Sequence, residues 1–349
     1  MRLSLVLLLL FGAIVPLSAQ TNTPAPSPTP EEPVRIVTTT TQVTDLVQIL
    51  AKGLDRFEIV ISPLMGPGVD PHLYQPTESD IQLMNDADAV IYSGLHLEGQ
   101  FDEVFEALSE RGVDVYAIAT AVDEGGYTIP ALDDENLEAP DPHFWFDPRN
   151  WQLTAQATAE FLAAIDPENA DVYLENGEAY SEQLDILFAW GEEAMNQVPE
   201  DQRYLVTSHD AFQYFGEAFG WQVIAVQGIS TEAEAGVGDI QAIVDTVIEY
   251  QIPVIFVESS VPMATIEAVQ AAVEAAGYEV GVGLRPLYSD AMGNTGTFGG
   301  TYIGMIAENI YTILQSYQVA GVELIIPPYP ADLLPEAPID LIDFRPVAP

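Results

Sequence analysis

The strongest constraint on this chain is one alternation that runs twice. Short apolar runs of strand length take turns with segments of helical period, first from Val34 and again from Tyr204. The first series predicts strands at Arg35–Thr39, Glu58–Ser62, Ala89–Tyr92 and Val113–Ile118, with helices over Val43–Lys52, Glu78–Asn85, Gly99–Glu110 and Arg149–Ala164. The second predicts strands at Tyr204–Thr207, Gln222–Val226, Val254–Val257 and Glu279–Gly283, with helices over Asp210–Phe219, Val237–Tyr250, Pro262–Ala276 and Thr301–Tyr317. Such alternation implies two α/β lobes, each built from four βα units around a mostly parallel sheet.

Between the series lies a run of a different kind. Asp166-Pro167 offers an N-cap with proline at the first helical position. Tyr173, Tyr180, Leu184, Leu187, Ala194 and Val198 then recur at helical spacing up to Pro199. One helix of about 30 residues, roughly 45 Å long, is predicted to join the lobes. The expected layout is an export signal over 1–19, a Thr/Pro-rich tether over 20–33, an N-terminal lobe over 34–165, the linking helix over 166–199, a C-terminal lobe over 200–325 and a Pro-rich tail over 326–349.

Charge and cysteine usage narrow the function. Nine Lys and Arg stand against 54 Asp and Glu, a formal net charge of −45. That field repels nucleic acid and anionic lipid, so neither is an expected partner. Residues 1–19 carry Arg2, an apolar run from Leu5 to Leu10 and small residues near Ser18-Ala19, the pattern of an export signal. Secretion to a periplasm or cell surface is expected, with membrane association only through the N-terminal segment or a membrane partner. The chain has no cysteine, which rules out a Cys-linked lipid, disulfides and thiolate metal sites.

The four histidines carry the chemical signal. His143 sits in Asp141-Pro142-His143-Phe144-Trp145-Phe146-Asp147-Pro148, where two prolines restrict the backbone on either side. The Asp-Pro-His frame recurs at Asp70-Pro71-His72. His72 follows the second predicted strand, His143 the fourth and His209 the first of the second series, while Asp290 follows the last. All four lie past carboxyl ends of strands, where open parallel sheets bind ligands. A single loop histidine is more often a surface group, but three of four at equivalent strand ends argue for a common task. Three imidazoles and a carboxylate drawn from both halves would suit a divalent transition metal. Ligand imidazoles must be neutral, so binding is expected to weaken below about pH 6.5.

Five motifs in order resemble the zinc/manganese-binding group of ABC-transporter solute-binding proteins, the cluster A-I metal receptors. They are Gly68-Val69-Asp70-Pro71-His72-Leu73-Tyr74-Gln75-Pro76-Thr77, Ser93-Gly94-Leu95-His96-Leu97-Glu98, Asp141-Pro142-His143, Thr207-Ser208-His209-Asp210-Ala211-Phe212-Gln213-Tyr214-Phe215 and Tyr288-Ser289-Asp290. The resemblance implies two α/β lobes bridged by a long helix, with metal held in the cleft by His72, His143, His209 and Asp290. Histidine at the third ligand position occurs in that family's zinc and mixed receptors, so Zn²⁺ is the favoured cargo and Mn²⁺ the alternative. Many zinc receptors carry a His-rich loop before the second ligand. Here Asp123 to Pro140 holds acids and no histidine.

Further expectations concern the surroundings and the task. His96 is not expected to touch metal, and Glu258 is a candidate to orient an imidazole from behind. Trp145, Phe144 and Phe146 are candidates to wall the metal from water. The resemblance implies a monomeric, non-enzymatic receptor that delivers metal to the membrane permease of an ABC importer. The rival readings are a secreted zinc-dependent hydrolase, which would keep an open coordination position beside a general base, and a surface adhesin, a role described for some relatives.

Overall fold

Residues 32–55, 58–131 and 140–333 are described by the computed structural model. The expected export signal, nearly all of the tether, the stretch 132–139 of the acidic loop and the tail from 334 onward lie outside the described residues.

The N-terminal lobe runs β1 (Val34–Thr38), α1 (Thr41–Leu50), β2 (Ile59–Pro63), α2 (Glu78–Asn85), β3 (Ala89–Tyr92), α3 (Asp102–Glu110), β4 (Asp114–Ala117), α4 (Thr120–Glu124) and α5 (Pro148–Ile165). Its four strands pair in parallel in the order β2-β1-β3-β4, with Val34 opposite Ile59 and Ile36 opposite Ala89. Helices cover both faces, which is why the central strands read as unbroken apolar runs. Ile36 and Ile91 face α1 through Val43, Leu46 and Val47, while Val37 and Val90 face Phe101, Phe105 and Leu108. Thr40 caps α1, and Thr77 with Asp80 forms a capping box on α2. The predicted helix Gly99–Glu110 opens as a 3₁₀ turn over Gly99–Phe101 before α3 begins. The short α4 was not predicted.

The linking helix α6 spans Ala170–Met195, 26 residues, about 39 Å at 1.5 Å per residue. It starts later than Asp166-Pro167 suggests. Asp166 instead closes α5, and its carboxylate accepts from Asn169 Nδ2 at 2.9 Å and Tyr173 OH at 2.8 Å. With that carboxylate spent on the turn, α6 begins only after Asn169. The two helices pack closely, because a Cβ on Gly177 would already lie 3.0 Å from Ala159 Cβ.

The C-terminal lobe runs β5 (Tyr204–Thr207), α7 (Gln213–Phe219), β6 (Gln222–Ala225), α8 (Val237–Glu249), β7 (Val254–Ile255), α9 (Ala264–Ala275), β8 (Gly281–Val282) and α10 (Tyr302–Val319). The parallel pairs β5–β6 and β7–β8 meet where Phe256 N–H donates to Val206 O at 2.8 Å. Strands β7 and β8 are shorter than predicted. Beyond them pairing continues irregularly, through Leu287 N–H to Val257 O and Ser259 N–H to Leu287 O.

One apolar core passes from the first lobe through α6 into the second, with Leu46, Trp151, Leu184, Leu187, Phe215, Ile306 and Ile310 among its members. A separate core lies between the second sheet and α8 and α9. The bridging helix is therefore buried along one side and ties the lobes together. The Pro-rich segment packs on it as well, since Trp190 Nε1 donates to Pro327 O and Tyr329 rests edge-on against Trp190.

Candidate metal centre

Three of the four candidate side chains stand on segments that follow strands, whereas α4 separates His143 from the fourth strand that was expected to precede it. His72 follows β2, His143 immediately precedes the 3₁₀ turn Phe144–Phe146 that leads into α5, His209 follows β5, and Asp290 lies beyond β8. The structure brings all four together, with one donor atom from each lying within 4.8 Å of the others. All four are buried, His72 the least at 6% exposed and His143 and His209 fully. His72 Nε2 lies 3.3 Å from His143 Nε2, and Asp290 Oδ1 lies 3.3 Å from the Nε2 atoms of both His143 and His209. A tetrahedral shell with metal bonds of about 2.0–2.1 Å has edges of about 3.3–3.4 Å, so these spacings fit one. Asp290 Oδ1 and His209 Nε2 are buried and make no hydrogen bond within the protein. Such atoms call for a cation.

The orienting groups behind the donors are specific. In both Asp-Pro-His frames the aspartate Oδ1 accepts the histidine N–H two residues on, at 2.9 Å for Asp70–His72 and 2.9 Å for Asp141–His143. Proline between them restrains the turn. Asp141 Oδ1 also lies 2.8 Å from His143 Nδ1, which turns Nε2 toward the cluster. Tyr214 OH donates to Asp141 O at 2.9 Å from the other lobe. Glu258 Oε1 accepts the His209 N–H at 2.8 Å, and its Oε2 lies 2.5 Å from His209 Nδ1. Ser260 Oγ donates to Asp290 Oδ2 at 3.0 Å. Trp145 stands edge-on to His143 with ring centres 5.2 Å apart, and Phe144, Trp145 and Phe146 are all buried.

Electrostatics divides the histidines. Burial pushes His72 down to about 3, with His143 and His209 adding to the effect and Asp290 opposing it. Burial also works against charge on His143, but Asp141, and then Asp290, overcome it and raise the group to about 9. His209 is raised well above its ordinary value in the same way, by Asp290 and Glu258 against burial. Asp290 is held well below the usual carboxylate range, since the neighbouring imidazoles outweigh its burial. The acidic groups around them thus favour the charged forms of His143 and His209 in the absence of metal. His96 lies apart, on an exposed loop, with Nδ1 2.9 Å from Asp102.

Residues 36–316 match the family described as zinc-uptake complex component A periplasmic, ZnuA. The chain belongs to this family. It is the same group of metal-binding ABC solute-binding proteins that the five motifs resemble. Among its relatives, zinc-binding protein TroA of Treponema pallidum (strain Nichols) is 41% identical over 281 residues, covering 80% of this chain and 87% of TroA. The manganese-binding lipoprotein MntA of Bacillus subtilis (strain 168) is 39% identical over 287 residues, covering 82% and 90%. The solved periplasmic zinc-binding protein TroA from Treponema pallidum superposes with a TM-score of 0.73, covering 81% of this chain and 99% of that one at 39% identity. The expected α/β architecture with parallel sheets is thus the fold of a ZnuA-family protein.

Several residues around the ZnuA-type centre escape a reading of the sequence. Asp70 and Asp141 were visible as parts of a repeated frame, and their spacing two before histidine is the signal that marks them as backbone acceptors. Tyr214, Ser260 and Thr231 carried no such mark.

Proposed function

We propose that this chain is the extracytoplasmic receptor of an ABC metal importer. It captures Zn²⁺, with Mn²⁺ as the weaker alternative, through His72, His143, His209 and Asp290, and presents the ion to the importer's membrane permease. The observation that carries this reading is the buried cluster itself, four donor atoms from both lobes within 4.8 Å. Four protein donors fill a tetrahedral shell, whereas catalytic zinc keeps a position open, so the geometry favours capture over hydrolysis. The family description as an uptake-complex component and the zinc- and manganese-binding names of TroA and MntA support the same choice of cargo and task.

The receptor acts as a monomer, with lobes over 34–165 and 200–325 joined by 166–199. Among the described residues no helix is long and apolar enough to cross a membrane. Membrane association falls to the N-terminal segment or to the permease. Metal analysis of protein purified without chelator or added metal tests the proposal. About one zinc or manganese per chain is expected. Protein that carries neither metal and takes up neither on titration would sink it.

A further inference from the structure

Three of the four donors are held by a side chain from their own lobe: His143 by Asp141, His209 by Glu258 and Asp290 by Ser260. His72 is held differently. Its ring has no carboxylate partner among the described residues, and its backbone N–H rests on Asp70 Oδ1 at 2.9 Å. The other oxygen of Asp70 crosses the cleft. Thr231 Oγ1, in the loop between β6 and α8, donates to Asp70 Oδ2 at 2.6 Å. Thr231 is 8% exposed and Asp70 half-buried, so this bond is partly shielded from water. Beside it, at the surface, Gln100 Nε2 donates to Glu232 Oε1 at 2.9 Å, a second tie between the same loop and the N-terminal lobe. His72 is also the most exposed donor, and the adjoining Leu73 is 51% exposed, so solvent lies nearest the centre on this side.

We infer that the Thr231–Asp70 hydrogen bond is a latch that couples closure of the lobes to the position of His72, and that it governs how fast captured metal leaves. The inference rests on the capture reading above. When the lobes part on this side, Thr231 leaves Asp70, and the loop carrying His72 loses its hold on the opposite lobe. The remaining three donors keep their own partners. Metal is then held by three ligands with an open face toward solvent. Thr231 is a positioning residue, acting on the metal only through Asp70 and His72.

The test is release of Zn²⁺ into excess EDTA, followed by stopped flow for the full chain and for Thr231→Val and Thr231→Ser. Valine keeps the shape and removes the donor, while serine keeps the donor. A lost hydrogen bond to a charged group should speed release at least about tenfold in Thr231→Val. Thr231→Ser should stay close to the parent rate, and any fall in the metal-free melting temperature of Thr231→Val should be too small to account for its faster release. Unchanged release from Thr231→Val, with the parent binding zinc normally, overturns the latch. So does a fall in metal-free stability that accounts for the faster release, or equal acceleration by serine. A parent chain that binds no zinc is a different result, which removes the capture reading itself.

Discussion

Glu258 grips His209 at two points, accepting its backbone N–H at 2.8 Å through Oε1 and meeting its Nδ1 at 2.5 Å through Oε2. One carboxylate therefore sets both the position of the residue and the rotation of its ring. With Nδ1 committed to Glu258, only Nε2 is left to face Asp290.

The first prediction follows from that grip. Glu258→Gln keeps the shape but exchanges a charged partner for a neutral one, leaving the ring less firmly aimed and less basic. Metal affinity should fall about 10–100-fold, the usual effect of losing a partner behind a metal-binding histidine. Isothermal titration with Zn²⁺ measures it. An affinity equal to the parent's would show that Glu258 serves only the loop backbone.

A second prediction separates donors from bystanders. His72→Ala, His143→Ala and His209→Ala each remove one corner of the cluster and should each lower zinc affinity at least tenfold, about 1.4 kcal/mol. His96→Ala should change little, because His96 lies on an exposed loop and pairs with Asp102 at 2.9 Å. Titration of all four variants decides the matter, and a His96→Ala loss as large as the rest would break the proposed ligand set.

How much of this was legible before the fold was known depends on how far apart in sequence the cause lies. The βα alternation, the placement of His72, His209 and Asp290 beyond strands and the candidacy of Glu258 rest on local patterns, and local patterns are written in sequence. The ties across the cleft are not. Thr231 reaches Asp70, Tyr214 reaches Asp141 and Asp45 accepts the Tyr302 N–H at 2.8 Å, in each case across 73 residues or more of sequence. Asp166 misled for a different, local reason. Its N-cap pattern was sound, but Tyr173 and Asn169 claim the carboxylate once the α5–α6 turn forms.

The third prediction concerns the pH range of binding. Free imidazole would place the loss of binding below about pH 6.5. Asp141 and Asp290 raise His143 to about 9 despite its burial, and His209 is raised well above its ordinary value. The raised groups stabilise the metal-free fold fully below the unfolded value near 6.5, and the His143 contribution fades as pH climbs through about 9. Metal displaces those protons, so binding competes with them and strengthens as pH rises. Displacing the His143 proton should add about tenfold in affinity per pH unit up to about 9, and a proton displaced from His209 adds to the same trend. Calorimetry at pH 7.5 in buffers of different ionisation enthalpy should count one to two protons released per zinc. Binding with no proton release would contradict charged His143 and His209. The metal-induced rise in melting temperature should likewise be larger at pH 8 than at pH 6.

The last prediction concerns metal choice and turns on Ser260. Its hydroxyl donates to Asp290 Oδ2 at 3.0 Å and also contacts Ser289 Oγ at 2.7 Å. That leaves Asp290 Oδ1 to face the imidazoles, 3.3 Å from both His143 Nε2 and His209 Nε2. A carboxylate restrained to one oxygen makes a four-coordinate, zinc-like shell, and divalent affinities already place zinc above manganese. Zinc should therefore bind more tightly than manganese. Ser260→Ala releases Oδ2, which lets Asp290 chelate through both oxygens and raises the coordination number toward what manganese accepts. In that variant the zinc-to-manganese affinity ratio should shrink, mainly by a gain for manganese. Competition titrations of the parent and Ser260→Ala give both ratios. A parent that prefers manganese would overturn the zinc preference and leave capture standing, while an unchanged ratio in Ser260→Ala would free Ser260 of any part in it.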